Sequence, residues 1–283
     1  MRYTNGISHY FNLKLYFLTS KFEYLTPTDK LIIHMKHNQT FRIIIFFLIA
    51  TVFSNLFRFE TFGFGKILNQ YPIWIKITSV PLQSIAIFVG ALIGLKWLGS
   101  KQKIAHSFFG SSSKWSLLMA VLPIVLLSVI GIENSHGFNT HLLGFVIGVI
   151  LLIYCIFEEY GWRGYLEEEL KGKKEWLRVL IIALLWYTWH LPFIENLDLM
   201  SNLKFIGIML LGSWGIGKII QTTHSVLAAA CFHMLYSIMI LQIKDEVYLA
   251  LNNKLLIIGI CVVVWIIMLQ FWKREKTNEN KLI

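Results

Sequence analysis

The sequence predicts an all-α membrane protein, a polytopic transmembrane helical bundle of about eight spanning helices. Two observations support this prediction. Of the 283 residues, 56% are hydrophobic and only 15% are charged, whereas a soluble domain carries about 25% charged residues. Apolar stretches also recur along the chain, and a helix needs about 20 such residues to cross a bilayer. The soluble, disordered and coiled-coil classes are therefore poor fits.

Eight apolar stretches are the expected spans. They cover residues 42–57, 74–95, 115–132, 142–166, 176–194, 204–220, 224–243 and 254–272. The second stretch is the least regular, because it contains Lys76 and Pro81. Backbone polar groups in lipid must be paired within the protein, so each stretch is expected to be helical.

The distribution of basic residues sets the expected orientation. With the N-terminus inside, twenty Lys and Arg residues fall on the cytoplasmic side and five on the outer side. Cytoplasmic loops collect Lys and Arg, so we expect an integral membrane protein with both termini cytoplasmic. The same rule accounts for the net charge of +10, and no nucleic-acid partner is predicted. The short loops favour a bacterial cell membrane.

No linker divides the chain into separate domains. We expect a basic cytoplasmic or interfacial segment over residues 1–40, a transmembrane bundle over 41–272 and a basic cytoplasmic tail over 273–283. Cys155, Cys231 and Cys261 all lie in apolar runs. They are predicted to be small core residues, since their spacing is typical of neither a disulfide framework nor a cysteine zinc site.

Two adjacent carboxylates end the apolar run of the fourth span. Ionisable groups inside a span cost several kcal/mol unless they are paired or hydrated, so each is a candidate site residue. Glu159 and Arg163 are four residues apart and can pair on one helix face. Glu158 is then less compensated, which suits a general base. The alternative is a helix that ends in water, as the following run 167–169 of three glutamates indicates.

Three histidines lie on or near apolar helices. His190 ends an aromatic-rich helix, and His233 lies deep in the seventh span with Ser237 on the same face. His224 precedes that span and is expected at the interface. The alternative for each is a histidine that is simply hydrogen-bonded in the core.

Helix rise places these groups at similar depth. The turn between the fourth and fifth spans lies near Gly172, and a rise of 1.5 Å per residue puts Glu158 about 20 Å and His190 about 27 Å from it. The turn itself uses several residues after Gly172, which brings the second distance toward the first. His233 lies about 14 Å beyond His224 by the same rise. Two glutamates and two histidines can therefore converge and share a water, a proton or a metal.

These residues form three motifs. They are Glu-Glu-x-x-x-Arg at 158–163, aromatic-x-x-x-His at 186–190, and Phe-His followed after three residues by a small polar residue at 232–237. Together they resemble the CPBP family, which contains CAAX prenyl proteases and bacteriocin-processing or immunity enzymes and is also called Abi. The resemblance covers about residues 142–240, and it implies an intramembrane endopeptidase with an eight-helix bundle.

The resemblance also implies roles for individual residues. Glu158 resembles the glutamate that activates the hydrolytic water, helped by His190, whereas Glu159 and Arg163 take orienting and structural roles. His233 resembles the third-motif histidine that contributes to the site.

Two positions depart from the family pattern. Ser237 stands where the family often has an asparagine that steadies the oxyanion. A serine hydroxyl is shorter than an amide, and loss of an oxyanion donor typically costs about 2.7–4 kcal/mol. Trp186 stands where Phe is usual.

The cofactor and the exact role stay open. Glu158, His190 and His233 are candidate ligands for one divalent metal such as zinc, although no His-Glu-x-x-His helix is present, and a metal-free mechanism is the alternative. The expected partners are the lipid bilayer and a membrane-associated peptide or protein substrate. A catalytically weakened immunity or scaffold protein is a second interpretation. A proton-coupled transporter is a third, although it predicts inverted repeats that the sequence lacks.

Overall fold

A computed structural model describes residues 38–58, 63, 67, 70–98, 106–192, 197–243 and 246–282. The expected N-terminal segment therefore lies almost entirely outside the described residues. The chain folds as a helical bundle, and the predicted all-α polytopic class is confirmed. The helices are α1 (Gln39–Arg58), α2 (Ile73–Ser79), α3 (Leu82–Lys96), α4 (Ser113–Ile130), α5 (Thr140–Glu159), α6 (Glu175–His190), α7 (Leu199–Thr223), α8 (Val226–Met239) and α9 (Leu251–Leu282).

Six segments within the described ranges are long and apolar enough to cross a membrane. One of them combines α2 and α3, which meet at Val80 and Pro81. The two remaining expected spans are α6 and α8, with 16 and 14 residues. Their lengths are about 24 Å and 21 Å, less than the roughly 30 Å of a bilayer core. Most of α8 is buried in protein, so neighbouring helices surround it in place of lipid.

A small sheet closes one end of the bundle. Strands β1 (Glu133–Asn134), β2 (Gln242–Ile243) and β3 (Val247–Tyr248) pair antiparallel in the order β1-β3-β2. Two-residue strands have no readable periodicity, so the sequence did not predict them. Close by, the Lys76 ammonium lies 3.1 Å from the Glu246 carboxylate. Lys76, the one basic residue of the second predicted span, therefore has an acidic partner.

Two apolar cores lie within the bundle. The first is formed mainly by α4, α5, α8 and α9 and includes the three cysteines, which are free and buried as predicted. The second is formed by α1, α3, α6, α7 and the turn that follows α5. Phe232 of α8 packs against both cores. The chain from α5 through that turn contributes to both, and α8 lies beside it.

The three glutamates after the turn that follows α5 form a short helix, Glu167–Glu169, and are buried, which argues against the alternative of a helix that ends in water. The Glu169 carboxylate binds the Arg42 guanidinium of α1 at 2.8 Å. The Glu168 carboxylate lies 3.0 Å from Nε2 of the His106 ring. Glu167 accepts a hydrogen bond from Gln221 of α7 at 3.1 Å. Each carboxylate is therefore matched to a different segment, and pairing permits their burial.

Glycine allows α5 to approach α4 closely. A Cβ added at Gly144 would overlap the backbone carbonyl of Leu127. Small residues at such crossings let membrane helices pack backbone against backbone.

We expect Gly144→Ala to destabilise the protein by about 1–3 kcal/mol, the usual cost of overpacking a tight interface. Thermal unfolding in detergent measures the effect. Gly207→Ala on α7 is the matched control, because nothing lies within 4 Å of the added methyl group. Equal unfolding temperatures for the two variants would contradict the close approach of α4 and α5.

Candidate functional site

The paired glutamates lie inside the bundle. Glu158 and Glu159 end α5, and a π-helical turn over Tyr160–Leu166 continues the chain without a break. Both glutamates and Arg163 are 0% exposed. Gly161 of the turn packs directly on Ile87 of α3, where a side chain would overlap. The close contact with α3 fixes the turn, and the turn places Arg163 beside the carboxylates. π-Helical turns occur frequently at functional sites.

Glu159 is the shared partner of a guanidinium and an imidazole. Arg163 Nη1 lies 3.3 Å from Oε1 and 3.2 Å from Oε2 of Glu159. His233 Nδ1 of α8 lies 2.8 Å from Oε1. The ring is not aligned for a regular hydrogen bond, so this contact is a close electrostatic one. The i,i+4 pair predicted from spacing is present, and His233 joins it from another helix.

Glu158 is hydrogen-bonded to a residue of α6. The indole Nε1 of Trp186 donates a hydrogen bond to Glu158 Oε2 at 3.0 Å. Oε1 of Glu158 accepts no hydrogen bond from any residue that the structure describes. One carboxylate oxygen is thus held while the other keeps its lone pairs.

Trp186 contacts the other members of the cluster as well. Its ring lies 4.6 Å beneath the Arg163 guanidinium carbon and meets the His233 ring nearly edge-on, with centroids 5.1 Å apart. Sequence reasoning treated Trp186 only as an aromatic motif position and missed its contact with Glu158. A usable signal was the indole N–H itself, because a buried indole usually finds an acceptor.

His190 lies at the end of α6, next to Trp186. Its Nδ1 is 2.8 Å from the Trp186 carbonyl oxygen, and a carbonyl only accepts, so Nδ1 donates. The ring packs against Trp189 at 4.7 Å and Phe205 at 5.2 Å between centroids. Trp186 therefore stands between His190 and the buried carboxylate of Glu158.

Ser237 lies one helical turn beyond His233 on α8. Its hydroxyl oxygen is 3.5 Å from the Cys155 sulfur of α5. The same serine lines a cavity of about 340 Å³ together with Tyr154 and residues of α2 and α3. Its hydroxyl thus faces α5 at Cys155, one turn before the glutamate pair.

An apolar cavity adjoins the cluster on its other side. It measures about 310 Å³ and lies between α6, α7 and α8. Trp186 and His233 form part of its wall, together with Met209, Gly212 and Phe232. A hydrocarbon group placed there would be next to the buried imidazole.

The candidate metal ligands do not assemble into a metal site. Within the described ranges, no three His, Cys, Asp or Glu side chains are arranged to hold a metal ion. His233 contacts Glu159, and His190 is bonded to a backbone carbonyl. The geometry of Glu158, His190 and His233 therefore does not fit a three-ligand zinc centre.

A second polar cluster surrounds His224, the residue that follows α7. Its Nδ1 lies 3.4 Å from Nδ1 of His106, and the two rings are stacked. His106 Nε2 contacts the Glu168 carboxylate at 3.0 Å. The segment after His106 is bound to the start of α8 by backbone hydrogen bonds, such as Val226 N to Ser107 O. This cluster links the two segments at the entrance of α8.

Apolar helices that enclose carboxylates, a guanidinium and an imidazole define an integral membrane protein with a polar site in its interior. Residues 140–239 match the family model described as "Type II CAAX prenyl endopeptidase Rce1-like". The match confirms the resemblance found in the motifs, and it covers the segment from α5 to α8. It contains all six predicted site residues. A search of curated proteins finds no significant match.

Burial lowers the pKa of His106, and the nearby His224, Lys171 and Arg178 act in the same direction, while Glu168 opposes them. The folded state therefore takes up a proton at lower pH than the unfolded chain does. His106 therefore makes its full contribution to the stability of the fold at pH values above the unfolded-state pKa of about 6.5. This contribution is lost as the pH falls.

When the pH is lowered from about 7.5 to about 5.5, we expect the unfolding temperature of His106→Gln to fall less than that of the wild type. Thermal unfolding in detergent at both pH values checks this difference. His141→Gln is the control, since His141 is exposed at the start of α5. An equal loss in His106→Gln and the wild type would contradict a neutral, buried His106.

Proposed function

We propose that the protein is an intramembrane endopeptidase that hydrolyses a peptide bond of a membrane-associated protein or peptide, with Glu158 as the base that activates water. One observation carries the proposal. Glu158 is fully buried, Trp186 holds one of its oxygens, and its other oxygen accepts no hydrogen bond from the described residues. A carboxylate in this state can orient a water molecule and accept its proton.

The proposed reaction is a direct attack of water on the peptide carbonyl. Glu158 takes one proton from the water, and the resulting hydroxide oxygen bonds to the carbonyl carbon. The carbonyl oxygen becomes an oxyanion, for which His233 or Ser237 is the proposed donor. The tetrahedral intermediate then collapses, the C–N bond breaks, and Glu158 returns the proton to the leaving amine.

Glu159 and Arg163 have supporting roles in this proposal. Their pairing keeps both charges inside the bundle, and the contact of Glu159 with His233 fixes the imidazole of α8. Trp186 separates His190 from Glu158, so His190 is proposed to assist the reaction from the end of α6 without contact with the carboxylate. Removing one member of a buried pair typically costs about 3–5 kcal/mol, so these residues also stabilise the fold.

The proposed substrate carries an apolar group close to the bond that is cut. The cavity of about 310 Å³ beside His233 is lined mainly by apolar side chains. It has room for a hydrophobic side chain or part of a lipid chain, and the matching family model is described as a CAAX prenyl endopeptidase. The distribution of Lys and Arg supports cytoplasmic termini for the proposed bundle over 41–272.

One observation favours a second candidate. The Ser237 hydroxyl contacts Cys155, and a short donor turned toward α5 supports weakened oxyanion binding. A protein of this kind would bind a membrane peptide without cutting it, as an immunity or scaffold protein does.

We expect Glu158→Gln to abolish turnover while the fold is kept, because the amide cannot accept the proton of water. The assay uses protein in lipid vesicles and a panel of fluorogenic peptides that end in farnesylated or unmodified cysteine followed by three residues.

Glu175→Gln is the matched control, since Glu175 is an exposed glutamate at the start of α6. It should cleave at the wild-type rate. Cleavage by Glu158→Gln at that rate would remove the assignment. Binding of the peptides without cleavage by the wild type would favour the second candidate.

A further inference from the structure

We infer that Trp186 is a positioning residue that fixes the orientation of the Glu158 carboxylate through its indole N–H. The inference rests on the proposed role of Glu158 as the base. It assigns a function to a residue whose motif position requires only an aromatic ring. Phenylalanine, with no N–H group, cannot form the bond that Trp186 forms here.

The direction of this hydrogen bond is unambiguous. The indole nitrogen can only donate and an ionised carboxylate can only accept. The distance of 3.0 Å from Trp186 Nε1 to Glu158 Oε2 is that of a normal N–H···O bond. Both side chains are buried, with Trp186 only 3% exposed. Water therefore does not compete for the bond, and a bond to a charged group is stronger than one between neutral groups.

The ring is held on several sides. The Arg163 guanidinium lies over one of its faces, with the carbon 4.6 Å from the ring centroid. The His233 ring packs nearly perpendicular to it. On α7, a methyl group at Gly212 would lie only 3.3 Å from the far edge of the ring. Trp186 thus has little freedom to rotate, and a rigid donor restricts the carboxylate that accepts from it.

The consequence concerns the second oxygen of Glu158. With Oε2 fixed, rotation of the carboxylate about its last bond is restricted, so Oε1 keeps one direction. A general base must lie within hydrogen-bond reach of the proton it takes, and a displacement of about 1 Å can reduce a rate about a hundredfold. Trp186 therefore acts through Glu158 and does not itself touch the reacting atoms.

The test is Trp186→Phe, which keeps a large aromatic ring and removes the N–H. We expect kcat to fall by about tenfold or more, as expected for loss of a hydrogen bond to a charged group. KM should stay within about twofold, because the lost bond orients the base and phenylalanine keeps an aromatic wall in the apolar cavity that Trp186 also lines.

Trp272→Phe is the matched control. It removes another buried indole bond, to Ser111 Oγ at 2.7 Å, on α9 and outside the cluster. Its kcat should equal that of the wild type. If the wild type cleaves the peptides and Trp186→Phe keeps its kcat, the inference is overturned while the proposed function stands.

A spectroscopic readout needs no turnover. In protein labelled with ¹⁵N at tryptophan, the indole resonance that disappears in Trp186→Phe identifies Trp186. That resonance should move in Glu158→Gln, because an amide accepts a weaker bond than a carboxylate does. It should not move in Glu175→Gln. If the resonance is unchanged in Glu158→Gln, the contact is absent and the inference fails, whatever the outcome of the activity assay.

Discussion

The pairing of buried charges is the constraint on which the interior of this protein depends. Glu158, Glu159 and Arg163 are fully buried between apolar helices, where an uncompensated charge is costly. Glu159 is compensated by Arg163 from its own chain segment and by His233 from α8. If the helices separated at this point, the charges would lose their partners in an apolar environment. The contacts of the site therefore also hold the bundle together.

A second set of pairs stabilises the segment that carries the site. Glu167, Glu168 and Glu169 follow the π-helical turn and bind α7, the segment at His106 and α1, respectively. The close contact of Gly161 with Ile87 adds α3 to this set. The Glu-Glu-x-x-x-Arg motif is thus fixed by contacts on both sides, as the proposed role of Glu158 requires.

The sequence predicted what depends on composition and local spacing. The class of fold, the expected spans and the Glu159–Arg163 pair follow from hydropathy and from the i,i+4 rule. Depth along helices also brought His233 near the glutamates. Rotation of helices about their axes could not be predicted, so the bond from Trp186 to Glu158 and the contact of Ser237 with Cys155 were missed. The buried pair of Glu168 and His106 was also missed, because the two residues are far apart in sequence and lie on different segments.

The central claim is that α5 and α8 pack in the register that places His233 beside the glutamate pair. The Cys155 sulfur and the Ser237 hydroxyl, 3.5 Å apart, report this register directly. In Ser237→Cys, mild oxidation followed by peptide mass spectrometry should detect a disulfide between Cys155 and the new thiol, and none when Cys155→Ala is added. If the new thiol stays free, or pairs with Cys231 or Cys261, the two helices pack differently and the account of the site is contradicted.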